Sequence, residues 1–342
     1  MTLVVNGRFL RAQPSGMHRA ARALVDAARD ARLPLEVLAP PGVDDPRVDR
    51  IVPGPRGRSG DHLWEQVALP LAAGSQPLLS LTNTAPVLAA HNIVWVHDLA
   101  PLVGPHWFHR SMRAYARLVV TVARRAELVF APSTSVAGEL AEVGVAADRI
   151  RVLRTAVDRS FRPASDASVG AARARHRLER PYVMHVGGDD PRKDAVTAVA
   201  AHLAVVGDVP HDLVLVGRAH PTFSPVTVPN VATVRRLGYV DDDELPALLT
   251  GAGALVFPSH YEGFGLPPLE AMACGTPALV SDLPVLRETT WDQARFVPPG
   301  DVAAWASALR DVLESPPRVS DLPAWSGADM AAQLVGALDG LV

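Results

Sequence analysis

Short, continuous apolar runs, each giving way to a helical stretch, limit what this chain can become. Residues 2–5, 35–38, 78–81, 93–96, 128–131 and 149–153 are such runs in the first half, and 182–186, 213–216, 231–234, 254–258, 277–280 and 295–297 in the second. Continuity, in place of apolar–polar alternation, is the pattern of strands buried on both faces of a parallel sheet. Between the halves, residues 162–180 are polar, alanine-rich and charged, which suits a linker. The 342 residues are enough for two domains of about 150 each. The pattern therefore predicts an α/β chain of two Rossmann-like, doubly wound domains facing a cleft.

Composition narrows the function classes. Apolar residues make up 48% and charged ones 20%, ordinary for a globular protein, and the net charge of −3 gives no case for nucleic acid. The single cysteine, Cys274, excludes an internal disulfide and a multi-cysteine zinc site. No apolar run approaches the ~20 residues of a membrane span. The N-terminus reads as a strand and lacks the pattern of a signal peptide, so a cytoplasmic location is expected. The fingerprint G-x-G-x-x-G is absent after the first strand, which argues against a nicotinamide enzyme.

The stretch with most chemistry is 259–277, SHYEGFGLPPLEAMACGTP. The run 254–258 feeds a loop carrying Glu262, Gly263, Phe264 and Gly265. Leu266, Pro267 and Pro268 follow, the prolines suiting a first helical turn, where a missing N–H costs little. Residues 270–274 read as helix, with Gly275 as its stop. Such a glycine loop and helix N-terminus can hold a phosphate. Glu262 and Glu270 are poor anion ligands and suit sugar or ribose hydroxyls. A ligand with phosphates and many hydroxyls is a sugar nucleotide; a surface loop with incidental glutamates is the alternative.

E-G-F-G-L-P-P-L-E-A-M-A-C-G-T-P, continued by Val280-Ser281-Asp282, resembles the E-x7-E signature of the family 4 retaining glycosyltransferases. That resemblance implies the GT-B fold. It places residues 1–162 plus 322–342 in an acceptor-side domain, 163–180 in a linker and 181–321 in a domain binding the nucleotide-sugar donor. Glu262 would hold donor-sugar hydroxyls and Glu270 the nucleotide ribose, with Gly263, Phe264, Gly265 and Leu266 lining the donor.

Other positions join the same expectation. Ser15-Gly16 opens a helix whose amides can face an anion, and Gly16 is similar to a family glycine near donor phosphate and acceptor. His18 and Arg19 follow, equally readable as a plain helix start. The string L-W-E-Q-V-A-L-P, from Leu63, reads as structural, with Trp64 a core anchor. His97 and Asp98 stand at the carboxyl end of a strand, where α/β sheets bind ligands. His97 resembles the family histidine that reaches the donor sugar. The run Gly187, Gly188, Asp189, Asp190, Pro191, Arg192, Lys193 predicts a helix opening with two cations, and resembles the segment whose lysine, and often a preceding arginine, meets the diphosphate. An exposed helix start is the alternative. Asp241 to Glu244 suit a helix start better than a metal site. Residues 108–125 predict a helix with five arginines, either a solvated face or a surface for peripheral association with the inner face of a membrane.

The resemblance implies transfer of a sugar, leaning to mannose or rhamnose in polysaccharide assembly, from a GDP- or UDP-type donor to a saccharide, lipid-linked or small-molecule acceptor. Configuration would be retained by front-face attack, with no cofactor or metal. Two departures stand out: Thr155-Ala156 replaces the family's usual Asn-Gly, and Gly188 stands where some relatives have arginine. Another GT-B reaction, by an epimerase or phosphorylase, and a non-catalytic nucleotide-sugar-binding protein are the rivals.

Overall fold

The computed structural model describes residues 2–11, 15–55, 57–218, 222–224, 226–317, 319 and 326–339. The chain divides into two compact units. The first comprises Met1–Leu102, Arg113–Ala156 and Trp325–Val342, and the second Val103–Met112 and Val157–Ala324.

In the first unit, β1 (Leu3–Asn6), β2 (Leu35–Ala39), β3 (Arg50–Ile51), β4 (Leu78–Ser80), β5 (Asn92–Trp95), β6 (Leu128–Ala131) and β7 (Ile150–Val152) form one parallel sheet in the order β3-β2-β1-β4-β5-β6-β7. Their continuous burial is why they read as apolar runs. The helices are α1 (Gly16–Asp30), α2 (Arg58–Leu63), α3 (Leu69–Ala73), α4 (Ala100–Val103), α5 (Met112–Arg125) and α6 (Thr134–Glu142). Ser133 caps α6 by accepting from the Val136 N–H, as its sequence suggests. The helix expected from His62 starts earlier and runs through a π-helical turn, Trp64–Ala68, between α2 and α3. The helix expected over 108–125 begins only at Met112. Pro105–Trp107 form a 3-10 turn, and Phe108 pairs in an antiparallel bridge with Phe223, which places 103–112 in the second unit.

In the second unit, α7 (Asp166–His176) precedes β8 (Tyr182–Val186), α8 (Ala195–Val205), β9 (Asp212–Val216), β10 (Val234–Gly238), α9 (Leu245–Thr250), β11 (Leu255–Phe257), α10 (Leu266–Ala273), β12 (Ala278–Ser281), α11 (Pro284–Thr290), β13 (Arg295–Val297) and α12 (Val302–Glu314). The strands form a second parallel sheet, β10-β9-β8-β11-β12-β13. Residues 163–180 are therefore not a bare linker: Ser165 caps α7, Arg177 ends it in the left-handed region, and α7 packs on α9. β10 lies three residues beyond the run expected at 231–234. The chain ends in α13 (Gly327–Leu338), which packs on α1 and puts Met330 and Leu334 into the first unit's core. The remainder of the expected segment 322–342, residues 322–325 and 340–342, lies outside the described residues.

Each sheet is covered on both faces by separate apolar clusters, three in the first unit and two in the second. In the second sheet the direction of strand succession reverses between β8 and β11. Crevices beyond the carboxyl ends of strands at such a reversal are where doubly wound sheets bind ligands.

Candidate active site

The loops after β8 and β11 flank that reversal, and they bring together Lys193 and Glu262, 69 residues apart in sequence. Lys193 Nζ donates to Glu262 Oε1 at 2.6 Å and to Oε2 at 2.8 Å, and stands 4.8 Å from the centroid of the Phe257 ring. Both side chains are largely buried, 16% and 7% exposed. An ammonium has three N–H groups, so two bonds to one carboxylate leave a third for another anion.

Lys193 is aimed by what precedes it. Pro191–Lys193 is a 3-10 turn capped by Asp190, and α8 starts only after Asp194, so the two cations are not on the first turn of a helix as expected. A Cβ on Gly187 would lie 2.6 Å from Lys193 Cβ, so glycine is needed for the lysine stem to pass. Gly188 has φ +59, and a Cβ there would lie 2.4 Å from the Arg218 carbonyl oxygen, while one on Gly217 would lie 2.3 Å from Gly188 N. The Gly187 and Gly188 N–H groups both donate to the Val216 carbonyl, at 2.9 and 3.0 Å. The glycine pair thus serves backbone-to-backbone packing between the β8 and β9 loops, with both amides turned to the Val216 carbonyl.

Arg192 is held within the same turn. Its Nε and Nη2 donate to Asp190 Oδ1 at 3.0 Å and Oδ2 at 2.7 Å, and its guanidinium lies 5.5 and 5.4 Å from the Phe108 and Phe223 ring centroids. A fork bound bidentately to its neighbour and covered by two rings is held in place as part of the turn.

The expected strand before the motif is β11, and the helix after it, α10, starts four residues before Glu270. Gly265 is its N-cap, at φ +85 with no side-chain capping bond, and a Cβ there would lie 2.4 Å from Leu286 Cδ2. Pro267 and Pro268 have no N–H. The first turn therefore offers the Gly265 and Leu266 amides, for which no acceptor stands among the described residues. Gly263 is half-buried and Phe264 buried. Glu270 is buried on the second turn of α10 at 2% exposure. Burial pushes the Cys274 thiol up to about 12, which makes it a core residue and no nucleophile.

Sequence reasoning missed the pair His260–Asp194, 3.1 Å between Nε2 and Oδ2. It also missed the aromatic cover from 103–112. The R-K-D and H-Y-E strings contain the first pair, but nothing local says that they meet.

In the first unit, Gly16 begins α1 and Ser15 supplies no side-chain cap to it. Ser15 Oγ lies 2.7 Å from His18 Nδ1. Burial, together with His97, Arg22 and Arg8 nearby, pushes His18 down to about 4, so it is neutral and adds no charge for an anion. His97 is also pushed down to about 4, by burial. Its Nε2 lies 2.9 Å from the Leu81 carbonyl oxygen, which can only accept, so Nε2 carries the hydrogen and Nδ1 the lone pair. Asn83 accepts the His97 backbone N–H at 2.6 Å. Trp64 is the core anchor expected, its Nε1 donating to Val52 O at 3.0 Å. Its neighbour Glu65 is more than structural filler: at 1% exposure it takes Asn6 Nδ2 at 2.8 Å and pairs with Arg8 Nε at 3.2 Å.

Residues 175–323 match the family model described as "Glycosyl transferases group 1". The chain is 28% identical over 263 residues to the O-antigen chain mannosyltransferase RfbU of Salmonella typhimurium, covering 75% of this chain and 70% of that protein. It is 32% identical over 176 residues to the O-antigen chain mannosyltransferase B of Escherichia coli, covering 49% of this chain and 46% of that one. Among solved structures, Anabaena HepE in complex with UDP and glucose aligns with a TM-score of 0.74 at 17% identity, covering 99% and 100% of the two chains. Sucrose-phosphate synthase from Thermosynechococcus elongatus aligns at 0.75 and 20% identity, covering 100% and 99%. At these identities the likeness is one of fold, which is GT-B.

Proposed function

From the premise that residues 175–323 form a Glycosyl transferases group 1 domain, we propose that the protein transfers mannose from a nucleoside-diphosphate donor to a saccharide or lipid-linked acceptor, with retention and without a metal. The observation that carries this reading is the Lys193–Glu262 pair set beside the Gly265–Leu266 amides at the strand reversal. The mannosyltransferases RfbU and B among the relatives support the choice of sugar.

The chemistry follows from the parts. As the bond from the anomeric carbon to the diphosphate oxygen breaks, negative charge grows on the leaving group. Lys193 and the two amides would receive it in a preorganised site, where one such donor contributes about 3–4 kcal/mol. Glu262 fixes the lysine and offers carboxylate oxygens to sugar hydroxyls, and Glu270 to ribose hydroxyls. The acceptor oxygen bonds to the anomeric carbon on the face the diphosphate leaves, and its proton passes to the departing phosphate oxygen. Arg113, Arg117, Arg124 and Arg125 on α5 are exposed and would supply a basic face toward anionic lipid if the acceptor is membrane-borne.

The test incubates the protein with GDP-mannose, UDP-glucose and other nucleotide sugars, with EDTA, and follows binding by thermal shift and product configuration by NMR. An EDTA-insensitive shift with a retained product supports the reading. Turnover to an isomeric nucleotide sugar without acceptor would make it an epimerase, and phosphate-dependent cleavage a phosphorylase. Absence of any binding would overturn the donor assignment.

A further inference from the structure

The loop after β11 is laced to the turn after β8 by three contacts. Lys193–Glu262 is one. The His260 backbone N–H, donating to Arg192 O at 2.7 Å, is the second. The third is His260 Nε2 against Asp194 Oδ2, at 3.1 Å. The lysine is thus bracketed: its predecessor is held through the backbone and its successor through the side chain of one histidine.

Asp194 is an unusual place to be held. It lies in the left-handed region at φ +48, which strains a non-glycine residue and persists only when its surroundings over-determine it. One carboxylate oxygen caps α8, accepting from Thr197 N at 3.0 Å, and the other accepts from Thr197 Oγ1 at 2.5 Å. His260 meets that second oxygen from the opposite loop. The anchored carboxylate holds Asp194 in this conformation, and the peptide between Lys193 and Asp194 sets where the lysine stem leaves the backbone.

We infer that His260 is a positioning residue for the donor: by clamping Asp194 it holds the backbone that aims Lys193 at the leaving diphosphate, and the clamp is tightest when the ring is protonated. This rests on the donor reading above. The groups that meet the ring are Asp194, through Oδ2, and Trp107, whose indole lies nearly parallel at 9° with centroids 6.4 Å apart. Of these, Asp194 acts on it by charge and raises its proton affinity through the hydrogen bond, against the opposing effect of burial. A folded-state pKa above the ordinary 6.5 means that the added grip is complete below the ordinary value and is lost as pH rises through the raised one. The neutral ring still donates through Nε2–H, so the clamp loosens without opening.

The experiment measures GDP-mannose and UDP-glucose binding by calorimetry between pH 5.5 and 8.5 on the full chain, as wild type, His260→Ala, His260→Gln and Asp194→Asn. The ring is partly exposed, so these chains should fold, and melting temperature checks that. The expected result is a wild-type dissociation constant that rises about three- to tenfold across the range, the worth of a charge-assisted over a neutral hydrogen bond. His260→Ala should be weak and flat with pH, His260→Gln intermediate and flat, and Asp194→Asn flat. Wild-type affinity and slope in His260→Ala would overturn the inference. A wild type that binds no nucleotide sugar would sink the donor reading instead. In that case the acetylation rate of Lys193 by acetic anhydride, followed by mass spectrometry on ligand-free protein, decides the positioning role. A faster rate in His260→Ala upholds it, and an unchanged rate overturns it.

Discussion

Replacing Lys193 by methionine, Glu262 by glutamine, and both together separates what the pair does for the fold from what the lysine does for turnover. With two bonds at 2.6 and 2.8 Å, the Coulomb attraction is about 6 kcal/mol at an effective dielectric near 20. Most of that is offset by the dehydration of two groups that are 16% and 7% exposed. Removing one partner is costlier than the net worth of the pair, because the other charge stays behind. Lys193→Met strands a buried carboxylate and should lose about 3–5 kcal/mol. For a unit of this size that is a fall in melting temperature of roughly 6–20 °C. Glu262→Gln strands a better solvated ammonium and should lose about 1–3 kcal/mol. The double variant puts a methionine beside Phe257 and strands no charge, so it should fall short of the sum by about 2–3 kcal/mol. Turnover should not follow stability: Lys193→Met and the double variant should both lose about 10²–10³ in kcat. Urea melts and initial rates on the four chains give the cycle. Additive stabilities would show that the pair does not exist in solution. A stable double variant turning over at the wild-type rate would show that Lys193 carries no transition-state charge.

Gly265→Ala should lower stability by about 1–2 kcal/mol from its positive φ and raise the donor KM at least tenfold; urea melts and initial rates check both, and an unchanged KM would remove the Gly265 amide from the donor site. Arg192→Ala should lower melting temperature through the loss of its Asp190 and phenylalanine contacts while changing kcat less than about threefold; a hundredfold loss would return Arg192 to the leaving group. Burial holds His185 down to about 4, below its ordinary 6.5, so the unfolded chain takes up an extra proton between those values. Its contribution is complete above pH 6.5 and lost as pH falls to 4, at most about 3 kcal/mol, and His185→Gln should flatten the urea midpoint over that interval.

Much of the architecture was legible because it rests on runs with no other use. Residues 128–131 and 182–186 coincide with β6 and β8, since strands buried on both faces leave an unbroken apolar trace. β3 left none, being two exposed residues at an edge. Residues 163–180 read as a linker because α7 buries only Ala172 among its residues, too little for a periodic stripe. The acid pair bracketing the glycine loop is local, and so is its helix. The purpose of Gly187 and Gly188 is not local: it is set by Gly217 on the next loop and by a lysine stem six residues after Gly187. Asp194 and His260 likewise acquire meaning only once three strand-to-strand connections have brought their loops side by side.

The bridge between Phe108 and Phe223 has a consequence for the order in which the protein is made. Ser224 donates to the carbonyl of His106 across 118 residues, so the segment that covers Arg192 leaves the ribosome long before the residues it covers. At about 5–20 residues per second, the wait is roughly 6–24 s. During it the Trp107 and Phe108 side chains have no second-unit partner, a sticky interval in which a chaperone or a neighbouring nascent chain can take their place. A gene trimmed to begin at residue 157 would never supply the segment, and its product would carry Phe223 and Arg192 uncovered, prone to aggregate even with every strand of the second sheet present.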